Sequence, residues 1–384
     1  MKTCSYLKAL LKHIFLHHET ALIFCAACAF YITFYTWPYF NEIITDVPTT
    51  VVDLDRSTAS RQFIDEMDAS PAIALNGVEH DLATGKALVH NGETDVLVVI
   101  PDNFEVDLNQ GKPTAIEIFS NGTYPAKGRA VYASVLTLSM QKGISATAKT
   151  LLLKGADRAQ VMRAAAVGVP FTSENLFNPT SGYGPFTVSI VVCIILQSVM
   201  VFGSALIMTE MIELGLGSPL MKAVIERPKL LIATFLTFAS VIFFWGLFIE
   251  GPGMYCLDLP SSGNLLATVI TVACFACAIA SLAVALSLFL GNRLYVTLCV
   301  IGASAPSVFL TGLVFPGSHF PFWVDIVAAF LPSTPGAKAL LLVSQHGAGL
   351  SAVFPYLVWL LLLALFYGAL TKSLFKRYLK RFTD

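Results

Sequence analysis

Charge is what this sequence has least of. Of its 384 residues, 24 are Lys or Arg and 25 are Asp or Glu, together 13%, where a soluble globular domain carries about 25%. With a net charge of −1, this deficit excludes an ordinary cytosolic enzyme, a disordered charged tail and a nucleic-acid binder working through a basic surface. Catalytic signatures are missing as well. Gly85-Lys86 is followed by Ala87 and Gly111-Lys112 by Pro113, so neither forms a GxxxxGK[ST] phosphate loop, and there is no GxSxG elbow. His13, His17, His18 and Glu19 do not spell HExxH. No catalytic site and no resident metal or cofactor is expected in this chain.

Disulfides are excluded from one large segment. None of the eight cysteines falls within 41–185, so whatever folds there rests on its core alone. Cys25/Cys28 and Cys274/Cys277 have CxxC spacing, but within apolar helices they read as small packing residues rather than redox or metal ligands.

What is abundant is apolar. Hydrophobic residues make up 55% of the chain and the mean hydropathy is +0.71. Six stretches, 21–40, 186–208, 230–249, 265–290, 295–315 and 354–371, are free of Asp, Glu, Lys and Arg. Each is close to the roughly 20 residues, at about 1.5 Å rise, that cross a hydrocarbon core. The first continues into Trp37-Pro38-Tyr39 rather than a small-residue cleavage site, so it reads as an anchor and not a signal peptide. Twelve Lys and Arg lie in 1–20, 209–229, 291–294 and 372–384, against Lys338 alone in 250–264 and 316–353. Positive residues are retained inside, which places both termini in the cytoplasm, with 372–384 a basic tail.

Segment 41–185 is then extracytoplasmic. Its 17 Asp and Glu against 11 Lys and Arg leave it at −6. Thr50–Asp55, Thr94–Ile100 and Ala115–Phe119 read as strands. Ser57–Asp68, with Ser57 as N-cap, and Leu82–Asn91 have helical spacing, and Tyr124–Lys154 is one long helix or two broken near Gly143. This is a mixed α/β domain. Asp53 and Asp55, at i and i+2 on one side of a strand, could hold a divalent cation, although a strand end running into a capped helix explains them better. Asn121-Gly122-Thr123 matches a glycosylation sequon.

Two further segments have character. Tyr6, Leu7, Leu10, Leu11, Ile14 and Phe15 form an apolar stripe opposite Lys8, Lys12, His13 and His17, so 1–20 reads as an interfacial amphipathic helix or a simple topology signal. Segment 316–353 is apolar but interrupted at Pro316, Pro321, Pro332 and Pro335. Two re-entrant half-helices, about 321–331 and 335–345, fit it, as does a loop lying on the outer leaflet. Because the spans hold no ionisable side chain, energy for transport is expected from a partner acting on loop 209–229.

One span, a large external domain opening with Val51–Thr58 (VVDLDRST), and five further spans together resemble the permease subunit of ABC-2 type exporters, in the multidrug-type group with this inserted domain. Thr311–Leu341 is similar to that family's region between the fifth and sixth spans, with Pro316, Pro321, Trp323, Pro332 and Pro335 in its turn, Pro-aromatic-Trp and Leu-Pro elements. Gly291-Asn292-Arg293 stands where the family has a short polar turn. The resemblance implies a helical membrane protein of six spans in a bacterial inner membrane. It implies a dimer with a second copy or a paralogue, and a separate ATP-binding cassette ATPase carrying ATP and magnesium. A periplasmic adaptor protein serves similar systems. The ATPase-coupling loop would carry Glu210, Glu213, Ser218 and Pro219, with Met211-Ile212 standing where the family has charged residues. The expected function is export of an amphipathic or lipidic substrate or drug. The competing classes are a membrane-anchored receptor or binding protein using the external domain, and a membrane enzyme relying on Asp53 and Asp55.

Overall fold

The computed structural model describes residues 3–27, 29–30, 33–34, 37, 44–122, 124–153, 183–256 and 263–380. Much of the expected first span, Thr123 of the sequon and residues 154–182 of the expected external domain lie outside the described residues. The chain divides into two compact units, Ile43–Glu174 and a larger one formed by Met1–Glu42 with Asn175–Asp384. Helix α1 (Thr3–Leu16) opens the larger unit.

The smaller unit is built on a four-stranded sheet of β1 (Val47–Asp53), β2 (Ile73–Glu79), β3 (Val96–Ile100) and β4 (Glu117–Ser120) in the order β2-β1-β3-β4. β1 runs parallel to both neighbours and β4 antiparallel to β3. Parallel strands covered on both faces read as unbroken apolar runs, and all five residues of β3, VLVVI, are buried. On one face Val51, Val98 and Ile100 pack with Phe63 and Phe104. On the other, Val52, Leu97 and Val99 form a thin layer.

Helix α2 (Thr58–Asp68) starts where the Ser57 hydroxyl accepts the Ser60 N–H at 3.0 Å, and it buries Ser60, Phe63, Ile64 and Met67 at helical spacing. Helix α3 (Leu82–Asn91) starts at Asp81, whose carboxylate accepts the Thr84 N–H at 2.9 Å. That backbone bond holds the Asp81 carboxyl below its usual range. Gly85 lets α3 close on the sheet, since a Cβ there would sit 2.6 Å from Val52 Cγ2. Helices α4 (Phe104–Gln110) and α5 (Pro125–Leu153) complete the unit, and α5 runs through Gly143 without a break. β2 and α4 were not expected. β2 is a half-exposed edge strand in which the register slips, with Thr49 opposite Leu75 and Thr50 opposite Gly77, so that Asn76 is extra.

The larger unit is helical. After α1 come a π-helical turn Leu22–Ala27, α6 (Tyr183–Leu214), α7 (Pro219–Glu226), α8 (Leu230–Phe248), α9 (Leu265–Leu290) and α10 (Arg293–Leu310). Then follow α11 (Phe322–Ala329), α12 (Ser333–Ser344) and α13 (Leu350–Lys380). Five helical stretches are long and apolar enough to cross a membrane: Ile190–Gly217, Leu230–Cys256, Leu265–Leu290, Arg293–Leu310 and Leu350–Lys380. The α11–α12 pair, bent by 77°, makes a sixth if counted as one span.

Four boundaries differ from the sequence reading. The span expected at 186–208 runs on to Gly217 and takes in Glu210 and Glu213. The span expected at 230–249 continues through a π-helix, Ile249–Gly253, to Cys256, which draws Glu250 into it and buries that residue. Described spans therefore do hold acidic side chains, because a helix can run past the end of the charge-free stretch that marks it in the sequence. The span expected at 295–315 ends at Leu310, ahead of a turn with Gly312 at φ +72°. The last span is longer than 354–371, since Lys372, Lys376, Arg377 and Lys380 continue the helix.

Small residues let the helices of this unit approach. A Cβ on Gly246 of α8 would lie 2.5 Å from Val272 of α9, and one on Gly336 of α12 would lie 2.7 Å from the Phe275 ring. The stripe of α1 divides between two environments. Tyr6, Leu10 and Ile14 are fully buried in the core of this unit, while Leu11 and Phe15 stay exposed.

Candidate functional site

The α6–α7 corner gathers charge onto itself. α6 ends at Leu214, and Gly215, at φ +51°, turns the chain through a short 3-10 segment to Ser218. The Ser218 hydroxyl accepts the Met221 N–H at 3.3 Å and Pro219 occupies the first helical position, so the Ser-Pro pair starts α7. Leu220, Met221, Ala223 and Val224 of α7 are buried. Leu214 and Leu216, each 56% exposed, project from the corner instead.

Glu210 is the hub. Arg293 Nη2 donates to Glu210 Oε2 at 3.1 Å, and His13 Nε2 of α1 lies 3.3 Å from the same oxygen. Arg293 also reaches Glu19 at 3.7 Å. One turn on, Glu213 Oε1 accepts the backbone N–H of Arg293 at 2.8 Å. That N–H is one of the unpaired donors at the start of α10, where a carboxylate is favoured by the helix dipole. Asn292 caps the same end by accepting the Leu294 N–H at 2.9 Å, and Gly291 at φ +62° closes α9 just before it. A second polar tie joins α1 to α8, where the Tyr6 hydroxyl pairs with Thr234 Oγ1. Burial pushes the Tyr6 phenol up to about 12. At the far end of α13, the Tyr378 hydroxyl donates to the Ile212 carbonyl at 3.1 Å.

Glu210, Ser218 and Pro219 share a cavity of about 270 Å³ with His13, Ala9 and Leu220, and Glu213 stands on the adjoining turn. His13, Glu19 and Arg293 complete the cluster. For Arg293 the available sequence signal was the Gly291-Asn292-Arg293 turn. For His13 and Glu19 there was none, because nothing local tells which helix a histidine on α1 will meet.

The proline-rich element solves a different problem. Breaking a helix at membrane depth frees backbone groups that lipid cannot satisfy. Pro321 stands at the N-cap of α11 and Pro332 at that of α12, Pro335 lies buried in the first turn of α12, and Pro316 precedes the 3-10 turn Gly317–His319. Trp323 is 68% exposed. At the break, the Ser333 N–H donates to Gln197 Oε1 of α6 at 2.6 Å, while Thr334 Oγ1 donates to the Leu310 carbonyl at 3.1 Å. From α13, Trp359 Nε1 donates to the Ala329 carbonyl at 2.9 Å and the Tyr367 hydroxyl to the Phe330 carbonyl at 2.6 Å. Side chains of two neighbouring helices thus replace the missing helical bonds.

Asp53 and Asp55 diverge rather than converge. Asp53 accepts the Arg56 N–H at 2.9 Å and the Ser60 hydroxyl at 2.8 Å, whereas Asp55 accepts the Glu105 N–H at 3.0 Å. The VVDLDRST run is therefore the device that turns β1 into α2 and starts α4. Among the described residues, no group of three or more His, Cys, Asp or Glu is placed to hold a metal ion.

A comparison with curated proteins finds no match. A family model described as ABC-2 family transporter protein matches residues 20–371. Permeases of this family work with an ATPase partner. That match takes in α6 through most of α13 and the whole described sheet, and it makes this chain a membrane-embedded, multi-pass member of the ABC-2 transporter family.

Proposed function

We propose that this chain is the permease subunit of an exporter that moves an amphipathic or lipidic molecule out of the cytoplasm or inner leaflet, driven by a separate ATP-hydrolysing subunit. It has no catalytic site of its own, and ATP and magnesium sit on the partner. The observation that carries this reading is the Glu210 hub: the α6–α7 corner is tied at one carboxylate to α1 and to the start of α10. A push on the corner is therefore delivered to several helices at once. Leu214 and Leu216, exposed on that corner, offer the apolar contact on which an ATPase would seat. In this reading the corner and both termini face the cytoplasm, which the Lys and Arg distribution favours, and the membrane is the bacterial inner membrane that the resemblance implies.

The permease acts as a dimer, with a second copy or a paralogue, and the path opens between the two. The external unit guards or extends the exit and is the surface for a periplasmic adaptor. The substrate is amphipathic because the exposed side chains of the spans include large apolar ones such as Leu236, Phe244, Phe289 and Leu298, which favours apolar contact over polar anchoring.

The test is purification from native membranes under mild conditions, followed by transport in vesicles. A Walker-type ATPase should copurify, and depleting ATP should stop transport. Isolation without any ATPase, together with transport that persists after ATP depletion, sinks the reading.

A further inference from the structure

Segment 41–185 carries 17 Asp and Glu against 11 Lys and Arg, yet both charged side chains lining a cavity of about 420 Å³ in the smaller unit are lysines, Lys112 and Lys142. The cavity lies between α2, α4, β4 and α5. Gly111, at φ +68°, ends α4, and residues 112–116 run on to β4 without regular structure, forming one wall. Tyr132, Leu136, Ser139 and Gly143 recur at helical spacing and bring one stripe of α5 to another. Phe63, Phe104 and Val135 are buried and make the floor, where the two rings meet at 5.8 Å. Lys112, Tyr132 and Gly143 are exposed and mark the mouth.

A small-molecule site is typically a hollow of about 300–1,000 Å³, mostly apolar, with a few polar groups that fix orientation. This cavity has that form, and its lining restricts the ligand. An aromatic and aliphatic floor takes an apolar body, which a bare inorganic anion lacks. A lysine at the mouth lays its stem along apolar surface and keeps its ammonium in water, where it meets a negative head. Lys142 is already paired with Glu66 at 2.6 Å, so Lys112 is left to meet that head, and one positive charge suits a monoanion. A cationic amphiphile would meet like charge there.

We propose that this cavity binds a single-chain amphiphilic monoanion of the fatty-carboxylate class, with its chain over Phe63 and Phe104 and its head at Lys112. The site goes beyond the export reading and does not depend on it, since neither ATP, partner nor transport enters the test.

The full chain in nanodiscs of zwitterionic phosphatidylcholine is photolysed with a diazirine analogue of dodecanoate, and the adducts are located by mass spectrometry. They should fall within residues 104–143. Excess dodecanoate should suppress them several-fold, and dodecyltrimethylammonium should not. Two variants separate space from charge. Gly143→Leu fills the mouth without strain, because a Cβ there meets nothing within 4 Å and leucine is the better helix former. Lys112→Gln removes the head contact at an exposed position. Each should weaken dodecanoate binding about tenfold, one decade in Kd, and Lys112→Gln should bind neutral dodecanol as the unaltered chain does. Equal suppression by the ammonium, or undiminished labelling of either variant, would overturn the proposal. Loss of label when an anionic two-chain phospholipid is added to the nanodisc would assign the cavity to membrane lipid and overturn it too. Absence of label within 104–143 would mean that the chain itself fills the cavity, with the same consequence. Labelling and competition use the unaltered protein, so they decide the matter even if a variant fails to fold.

Discussion

Glu213 Oε1 accepts the backbone N–H of Arg293 at 2.8 Å, so the last turn of one span holds the first turn of another through a bond that, at position 293, only proline would remove. The Arg293 side chain then reaches back to Glu210 at 3.1 Å. The α6–α7 corner and the α9–α10 turn are thus joined twice, once through backbone and once through charge.

The charged half of this joint should matter to coupling more than to stability. With Arg293 at 38% side-chain exposure, the pair contributes under about 1 kcal/mol to folding. Glu210→Gln and Arg293→Gln are each expected to lower ATP-driven export about 5- to 10-fold, a coupling loss of about 1 kcal/mol. The double variant should be little worse than either single one. Export rates and melting temperatures of the four proteins check this, and fully additive losses would mean that the two residues act separately.

Gln197 should be irreplaceable by an apolar residue of similar size. Gln197→Leu leaves the Ser333 N–H without its 2.6 Å acceptor in an apolar interior, which costs about 1–2 kcal/mol. Trp359→Phe, which strips a donor from the Ala329 carbonyl, should cost less, because a carbonyl oxygen tolerates a lost partner better than a buried N–H. Thermal unfolding in a single detergent ranks the two.

Gly336→Ala places a methyl group 2.7 Å from the Phe275 ring, and overpacking of this kind costs about 1–3 kcal/mol. Adding Phe275→Leu should return much of the loss. If the double variant melts no higher than Gly336→Ala alone, the α9–α12 contact is not the cause.

Tyr6 gives a pH dependence with a definite sign. Its phenol is held protonated by burial to about 12, against an ordinary 10.0. The stability it contributes is complete below pH 10 and is lost as pH climbs from 10 towards 12. Tyr6→Phe removes the bond to Thr234, worth about 1 kcal/mol at neutral pH. The melting-temperature gap between wild type and variant should then shrink as pH passes 10. A constant gap up to pH 12 would refute the burial of this hydroxyl.

Legibility followed the range of the forces involved. Spans were readable because hydropathy sums along neighbouring residues, α2 because Ser57 caps the very helix it precedes, and α3 through its helical spacing. β2 escaped because an edge strand with an extra Asn76 lacks both alternation and an apolar run. Glu210, Glu213 and Ser218-Pro219 stood out through a resemblance. His13 and Glu19 did not, since their contacts reach across the chain, His13 to Glu210 over 197 residues.

The sequence by itself determined that this is a membrane protein carrying a cysteine-free α/β insertion, because composition and periodicity act within one or two turns. Tertiary structure alone decided which polar groups meet. It buried Glu250 with no hydrogen-bond partner among the described residues, set Gln197 against a helix end 136 residues away and made Glu210 the meeting point of α1 and α10. Each of these depends on which helix packs beside which, and that is chosen by the fit of whole faces, such as Gly246 on Val272 and Gly336 on Phe275, rather than by anything neighbouring residues encode.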